Sequence, residues 1–151
     1  MNVPRSTSRT LALVLSLALA ACSGGDGGPT DPGGNGNNSG GPPTPKADPS
    51  FSSDIVPIFS SAGCTSGGCH GSPIQAELNL ASSPRASMVN VPSSQVSGEI
   101  RVIPGNANGS YLVKKLEGRA SFGERMPLGG QLDAVSLANI KNWINQGAKN
   151  N

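Results

Sequence analysis

Residues 51–149 contain every aromatic side chain of the sequence, three Phe, one Tyr and one Trp, and that scarcity limits what they can fold into. A segment of this length buries only a modest share of its surface. With few bulky side chains it commonly depends on a disulfide, a metal or another staple. The whole 151-residue chain is 3% aromatic and carries 21 Gly and 13 Pro. Something other than ordinary apolar side chains has to contribute to the middle of such a domain.

The first 50 residues offer no help. Arg5 and Arg9 precede the uncharged run LALVLSLALAA, which ends in small residues. A charged start, a short apolar stretch and small residues at its end make a secretory signal over residues 1–21. The run is too short for a bilayer core, which needs roughly 20 apolar residues. Leu19-Ala20-Ala21-Cys22 resembles the lipobox of bacterial lipoproteins. That resemblance implies a lipid-bearing Cys22 and a stable anchor, because each buried methylene contributes about 0.8 kcal/mol. Ser23 after Cys22 leans towards the outer membrane. Residues 22–50 then form a Gly- and Pro-rich linker with too little apolar surface to offset the cost of ordering. As a flexible coil it reaches roughly 30 Å.

Of the 11 basic and 9 acidic residues, Arg5 and Arg9 lie in the signal, so the remainder is formally neutral. The basic balance belongs to the discarded segment, and no basic stripe points to nucleic acid.

Within residues 51–149 the periodicity is helical. Ile55, Ile58, Phe59 and Ala62 fall on one helix face, with Ser53 or Asp54 as cap, Pro57 in the first turn and Gly63 as the stop. Near the end, Asp133 caps a helix whose apolar stripe is Leu137, Ile140, Trp143 and Ile144, closed by Gly147. NGSYLVKKLEG predicts a third helix ending at Gly118, and SPRASMVNV a short fourth with Pro84 in its first turn. EIRVI alternates like a strand, without an evident partner. The expected class is all-α, with short helices and long loops.

The reactive residues concentrate in CTSGGCHG, residues 64–71, which holds the only His of the chain and two of its three Cys. A Cys64–Cys69 disulfide suits an exported protein, but so small a loop constrains the unfolded chain little and leaves His70 unexplained. A closed zinc site needs four ligands, and Cys64, Cys69 and His70 supply three. Covalent haem uses all of them. Two thiols add across two vinyl groups to form thioethers, and the histidine after the second Cys meets the iron. The usual gap between the cysteines is two residues. Here Thr65, Ser66, Gly67 and Gly68 have to bulge outwards, which paired glycines permit. A sixth ligand with a soft thioether favours Fe(II). Met126, in GERMPLGG beside Pro127, sits in an irregular loop suited to presenting its sulfur; Met88 reads as core.

The pattern DIVPIF…CTSGGCHG…VIPGNANGSYLVKKLEG…RMPLGG…IKNWINQGA resembles a class I-type c-type cytochrome domain with an extended C-x4-C-H motif. The resemblance spans nearly all of residues 51–149. It implies a cytochrome c-like fold of short helices and loops around one haem c, the first and last helices crossing. It also implies Cys64 and Cys69 as thioether attachments, His70 as proximal and Met126 as distal iron ligand, with Phe59 and Trp143 near the crossing or the ring. His70 needs a carbonyl acceptor for its Nδ1–H, expected between Pro73 and Pro84. Arg101, Lys114, Lys115, Arg119 and Arg125 include candidate propionate partners.

The expected role is an exported, lipid-anchored monohaem electron carrier on the periplasmic side of a bacterial membrane. It meets redox partner proteins transiently, and its membrane contact is Cys22. No nucleophile–base pair or paired carboxylate argues for an enzyme, although such a carrier also serves as the electron-transfer subunit of an oxidoreductase. A disulfide-bonded envelope lipoprotein that binds a ligand or partner without haem is the alternative, and a haem enzyme or gas sensor without a firm Met126 bond is a third.

Overall fold

The computed structural model describes residues 42–151; the expected signal peptide, Cys22 and most of the linker lie outside the described residues. Four helical elements follow one another: an opening π-helical turn, Phe51–Ile55, runs into α1, Val56–Ser61, and later come α2, Tyr111–Glu117, and α3, Ala134–Asn145. Among the described residues there is no named strand, only isolated bridge pairs. The architecture is helical with long loops, as expected.

The first helix begins a turn earlier than predicted. Ser50, rather than Ser53 or Asp54, is its cap: Ser53 N donates to Ser50 Oγ at 3.5 Å, and Ser50 N donates to Asp54 Oδ2 at 2.8 Å. Asp54 therefore reaches back, as the acid of a capping box does. Pro57 has no N–H to give, and the turn preceding it is the wider π form, in which Val56 N donates to Phe51 O. Packing starts still earlier. Lys46 N donates to Asn139 Oδ1 at 2.8 Å, and Asn142 Nδ2 donates to Lys46 O at 2.7 Å, so contacts with α3 begin ahead of residue 51.

None of these helices is long enough to persist alone, since isolated helices under about 12–15 residues are marginal in water. Tertiary burial sustains them. Phe51 stacks on Trp143 with ring centroids 5.0 Å apart, and Ile55, Ile140, Ile144, Val113 and Val102 are completely buried in the same core. Each such side chain contributes about 1.5–3 kcal/mol relative to exposure. Trp143 thus packs on Phe51 at the start of the first helix, and Trp143 Nε1 is spent on Lys149 O at 2.9 Å.

All three α-helices stop in the same way. Gly63, Gly118 and Gly147 have φ of 73°, 73° and 96°. In each case the next residue turns its N–H back into the helix: Cys64 to Phe59 O, Arg119 to Lys114 O and Ala148 to Trp143 O, each at 2.9 Å. This is the Schellman geometry, which satisfies otherwise orphaned carbonyls and suits glycine because it lacks a Cβ.

Two expectations are revised between α1 and α2. SPRASMVNV forms a single turn rather than a helix, in which Val89 N donates to Arg85 O. Its outgoing backbone is claimed by EIRVI: Val102 N donates to Met88 O at 3.0 Å, Asn90 N to Val102 O at 2.9 Å and Arg101 N to Val91 O at 2.8 Å. The extended stretch therefore does have a partner. Its far side receives α2, whose Tyr111 and Leu112 N–H groups donate to Ile100 and Arg101 carbonyls, both at 2.9 Å. Those are first-turn donors that no intrahelical carbonyl reaches, so α2 dispenses with a side-chain cap.

Candidate functional site

Cys64 owes its place to the end of α1. Gly63 turns the chain, Cys64 N returns to Phe59 O, and the Cys64 side chain packs against the core. From there the backbone closes a tight loop. Ser66 N donates to Gly63 O, Cys69 N to Ser66 O, and His70 N to Cys64 O at 3.0 Å. The four residues between the cysteines thus bulge outwards, as the spacing demanded, with Gly68 at φ 82°. Gly71 completes the loop without a side chain: a Cβ there would lie 2.2 Å from Thr65 O.

The His70 ring is fixed from behind. Its Nδ1 lies 3.1 Å from Gln75 O, and because a carbonyl only accepts, the proton is on Nδ1. In the neutral ring Nε2 is then the lone-pair nitrogen, the form a metal requires. Gln75 N donates to Cys69 O at 3.0 Å and Leu80 N to His70 O at 2.8 Å, so the ring and its acceptor share one hydrogen-bonded frame. Gln75 lies between Pro73 and Pro84, where the acceptor was sought.

Met126 is carried by α2. Its N–H donates to Lys115 O at 3.0 Å, and Arg125 Nε donates to Leu116 O at 2.9 Å. Both acceptors are carbonyls of the last helical turn, where intrahelical partners run out. The start of the same loop is held by Lys115 Nζ and Tyr111 Oη, which donate to Phe122 O at 3.1 and 3.3 Å.

These elements enclose one cavity of about 470 Å³, within the size range of cofactor sites. Cys64, Cys69, His70 and Met126 all border it, together with Phe59, Leu78, Leu80, Leu112 and Leu116. Met88, completely buried, also reaches its wall, which the sequence reading had as core alone. Trp143 does not line it. Both cysteines are free thiols, and burial pushes the Cys64 thiol above its ordinary range, with Cys69 adding to the shift.

Of the five basic residues singled out, Arg101 and Lys115 line the cavity, and burial pulls both below their ordinary values. Lys114 is spent on Glu99 at 2.6 Å, Arg119 on Glu117 and Asn108 O, and Arg125 on Leu116 O and Gln131. The acceptor Gln75 and the wall position of Met88 were missed by sequence reasoning; a main-chain carbonyl has no residue-type signature.

The residues fit covalent haem better than a bare ion. Among the described residues no group of three or more His, Cys, Asp or Glu could hold a metal, whereas two thiols, one correctly tautomerised imidazole and one thioether converge on a mainly apolar wall. Compared with protein-family models, curated proteins and solved structures, the chain matches none.

Proposed function

We propose that the chain is an exported, lipid-anchored monohaem c-type cytochrome with a cytochrome c-like fold, carrying electrons between partner proteins. The observation behind this reading is the convergence of Cys64, Cys69, His70 and Met126 on one cavity, with His70 Nδ1 already committed to Gln75 O. Cys64 and Cys69 would hold the haem as thioethers, and His70 and Met126 would bind its iron. Bound haem would supply a reversible one-electron iron couple.

The chain's own residues do the rest. Gln75 O holds a proton on Nδ1, so that Nε2 would be the nitrogen that binds the iron. Phe59, Leu80 and Leu116 exclude water on the inner side, which disfavours the extra charge of the oxidised state. Met126, a soft donor, acts in the same direction. Cys69, on the exposed side of the bulge, leaves this edge of the cavity towards solvent, where transient partners meet it. Cys22 would tether the domain to the membrane.

Mass spectrometry of the full chain, made in a bacterial host with a haem-attachment system, tests the reading. The expected product carries one haem that survives denaturing electrophoresis, and lipid at Cys22. A colourless product with Cys64 and Cys69 joined to each other refutes it.

A further inference from the structure

Arg101 is 7% exposed and takes part in no ion pair among the described residues. Its guanidinium is used entirely on main-chain carbonyls: Nη1 donates to Ser87 O at 2.8 Å and Glu77 O at 3.1 Å, and Nη2 donates to Ala76 O at 2.9 Å. Ala76 and Glu77 are consecutive non-glycine residues with φ of 52° and 55°. Side chains disfavour that backbone region, so such a turn persists only where its surroundings hold it. Ser94 Oγ also donates to Ala76 O, at 2.8 Å.

The turn begins at Gln75, whose carbonyl receives the His70 Nδ1–H and shares itself with Leu78 N. The other side of Arg101 is equally anchored: its N–H donates to Val91 O and its carbonyl receives Leu112 N at the start of α2. The guanidinium's grip on the next two peptide units thus supports Gln75 O, beside the bonds from Gln75 N to Cys69 O and from Ser94 Oγ to Ala76 O. A rigid fork can serve three carbonyls on two segments; a lysine ammonium is a point charge and matches that geometry poorly.

We propose that Arg101 is the positioning residue for His70, clamping the 75–77 turn so that the Gln75 carbonyl fixes the imidazole's tautomer and ring orientation. Arg101 acts through Gln75 and makes no hydrogen bond to the His70 ring. The inference rests on the proposed function, in which the ring so fixed is the proximal haem ligand.

The test uses the full-length, haem-loaded chain in its reduced form, with Arg101→Gln, Arg101→Lys and, as a core control, Ile140→Val. Nitrogen-15 NMR reads solvent exchange of the His70 Nδ1–H. Arg101→Gln accelerates it about tenfold, the scale of one lost hydrogen bond. Arg101→Lys gives an intermediate rate and serves alone where the Gln variant does not accumulate. Ile140→Val leaves the rate unchanged, which separates positioning from general destabilisation.

Wild-type exchange in both Arg101 variants overturns the inference, as does equal acceleration in Ile140→Val. A wild-type His70 N–H exchanging as fast as in the unfolded chain overturns it without any variant. Covalent haem content is read first: a wild-type protein without haem overturns the proposed function and this inference together, whereas a haem-bearing protein whose Arg101 variants exchange normally overturns this inference alone.

Discussion

Substitution of Gly71 by alanine isolates the backbone demand of the Cys64–His70 loop. A Cβ at residue 71 would sit 2.2 Å from Thr65 O and 3.0 Å from Ser66 O. Neither atom belongs to a side chain that can rotate away, so the loop itself has to shift, and His70 is the adjacent residue. Overpacking of this kind costs about 3 kcal/mol, the upper end of its usual range. Gly68→Ala is the matched comparison. Nothing lies within 4 Å of a Cβ there, and only its φ of 82° is unfavourable. That conformation costs an L-residue about 1 kcal/mol. Since a domain of this size loses about 4–8 °C of Tm per kcal/mol, Gly68→Ala should melt about 6 °C below wild type and Gly71→Ala about 15–20 °C below. Thermal unfolding by circular dichroism gives both values, and absorbance of the purified protein gives the covalently attached haem fraction, expected to fall in Gly71→Ala alone. Equal melting temperatures for the two variants, with equal haem content, would refute the described loop closure.

Met126→Ala should abolish the sulfur-to-iron charge-transfer band of the oxidised protein and lower the reduction potential, whereas Met88→Leu should retain the band; absorbance and redox titration distinguish them, and the reverse result would make Met88 the ligand. The Glu117 carboxyl is held below the usual carboxylate range by its hydrogen bond from Lys141 at 2.8 Å and by Arg119. A lowered folded-state pKa contributes stability that is fully present above the ordinary glutamate value, about 4.3, and is lost as pH falls through the folded value. Glu117→Gln should therefore flatten the acid limb of the stability–pH curve; a limb as steep as in wild type would remove Glu117 from its cause.

Helix ends were legible where chemistry is local. Gly63, Gly118 and Gly147 stop helices because a left-handed residue is required there, and Asp133 caps α3 through Ser136 N at 2.9 Å. The start of the first helix was misread by a turn because Ser50, Ser53 and Asp54 are all competent caps, and the choice rests on Asp54 reaching back to Ser50. SPRASMVNV has helix-compatible residues, but Asn90 adopts φ 58° and the following backbone pairs with residues 100–102, a competition no local pattern reveals. Cys64, Cys69, His70 and Met126, which border one cavity, stood out as candidates because their side-chain chemistry is rare in this chain. Gln75 did not, because it acts through a carbonyl, and Arg101 was named only as a candidate propionate partner, because the carbonyls it holds lie 24 and 25 residues away.

The same division explains how so small a set of helices supports a defined cavity. Its reactive side chains sit on loops, which ordinarily move more than helices. Here each loop leaves a glycine-terminated helix and fastens back onto peptide groups. The loop after α1 closes on itself through His70 N and Cys64 O, and the loop after α2 returns to that helix's last carbonyls through Met126 N and Arg125 Nε. Arg101 joins the two, since its side chain holds the 76–77 turn while its carbonyl receives the first turn of α2. One continuous path of covalent links and hydrogen bonds to main-chain carbonyls, 70–75–76–101–112–115–126, therefore connects His70 with Met126 across the cavity, with the His70 and Arg101 side chains making two of its links. A main-chain acceptor is indifferent to its own side chain, so the stretches between these points are free to be rich in Gly, Ser and Asn while the geometry of the site is kept.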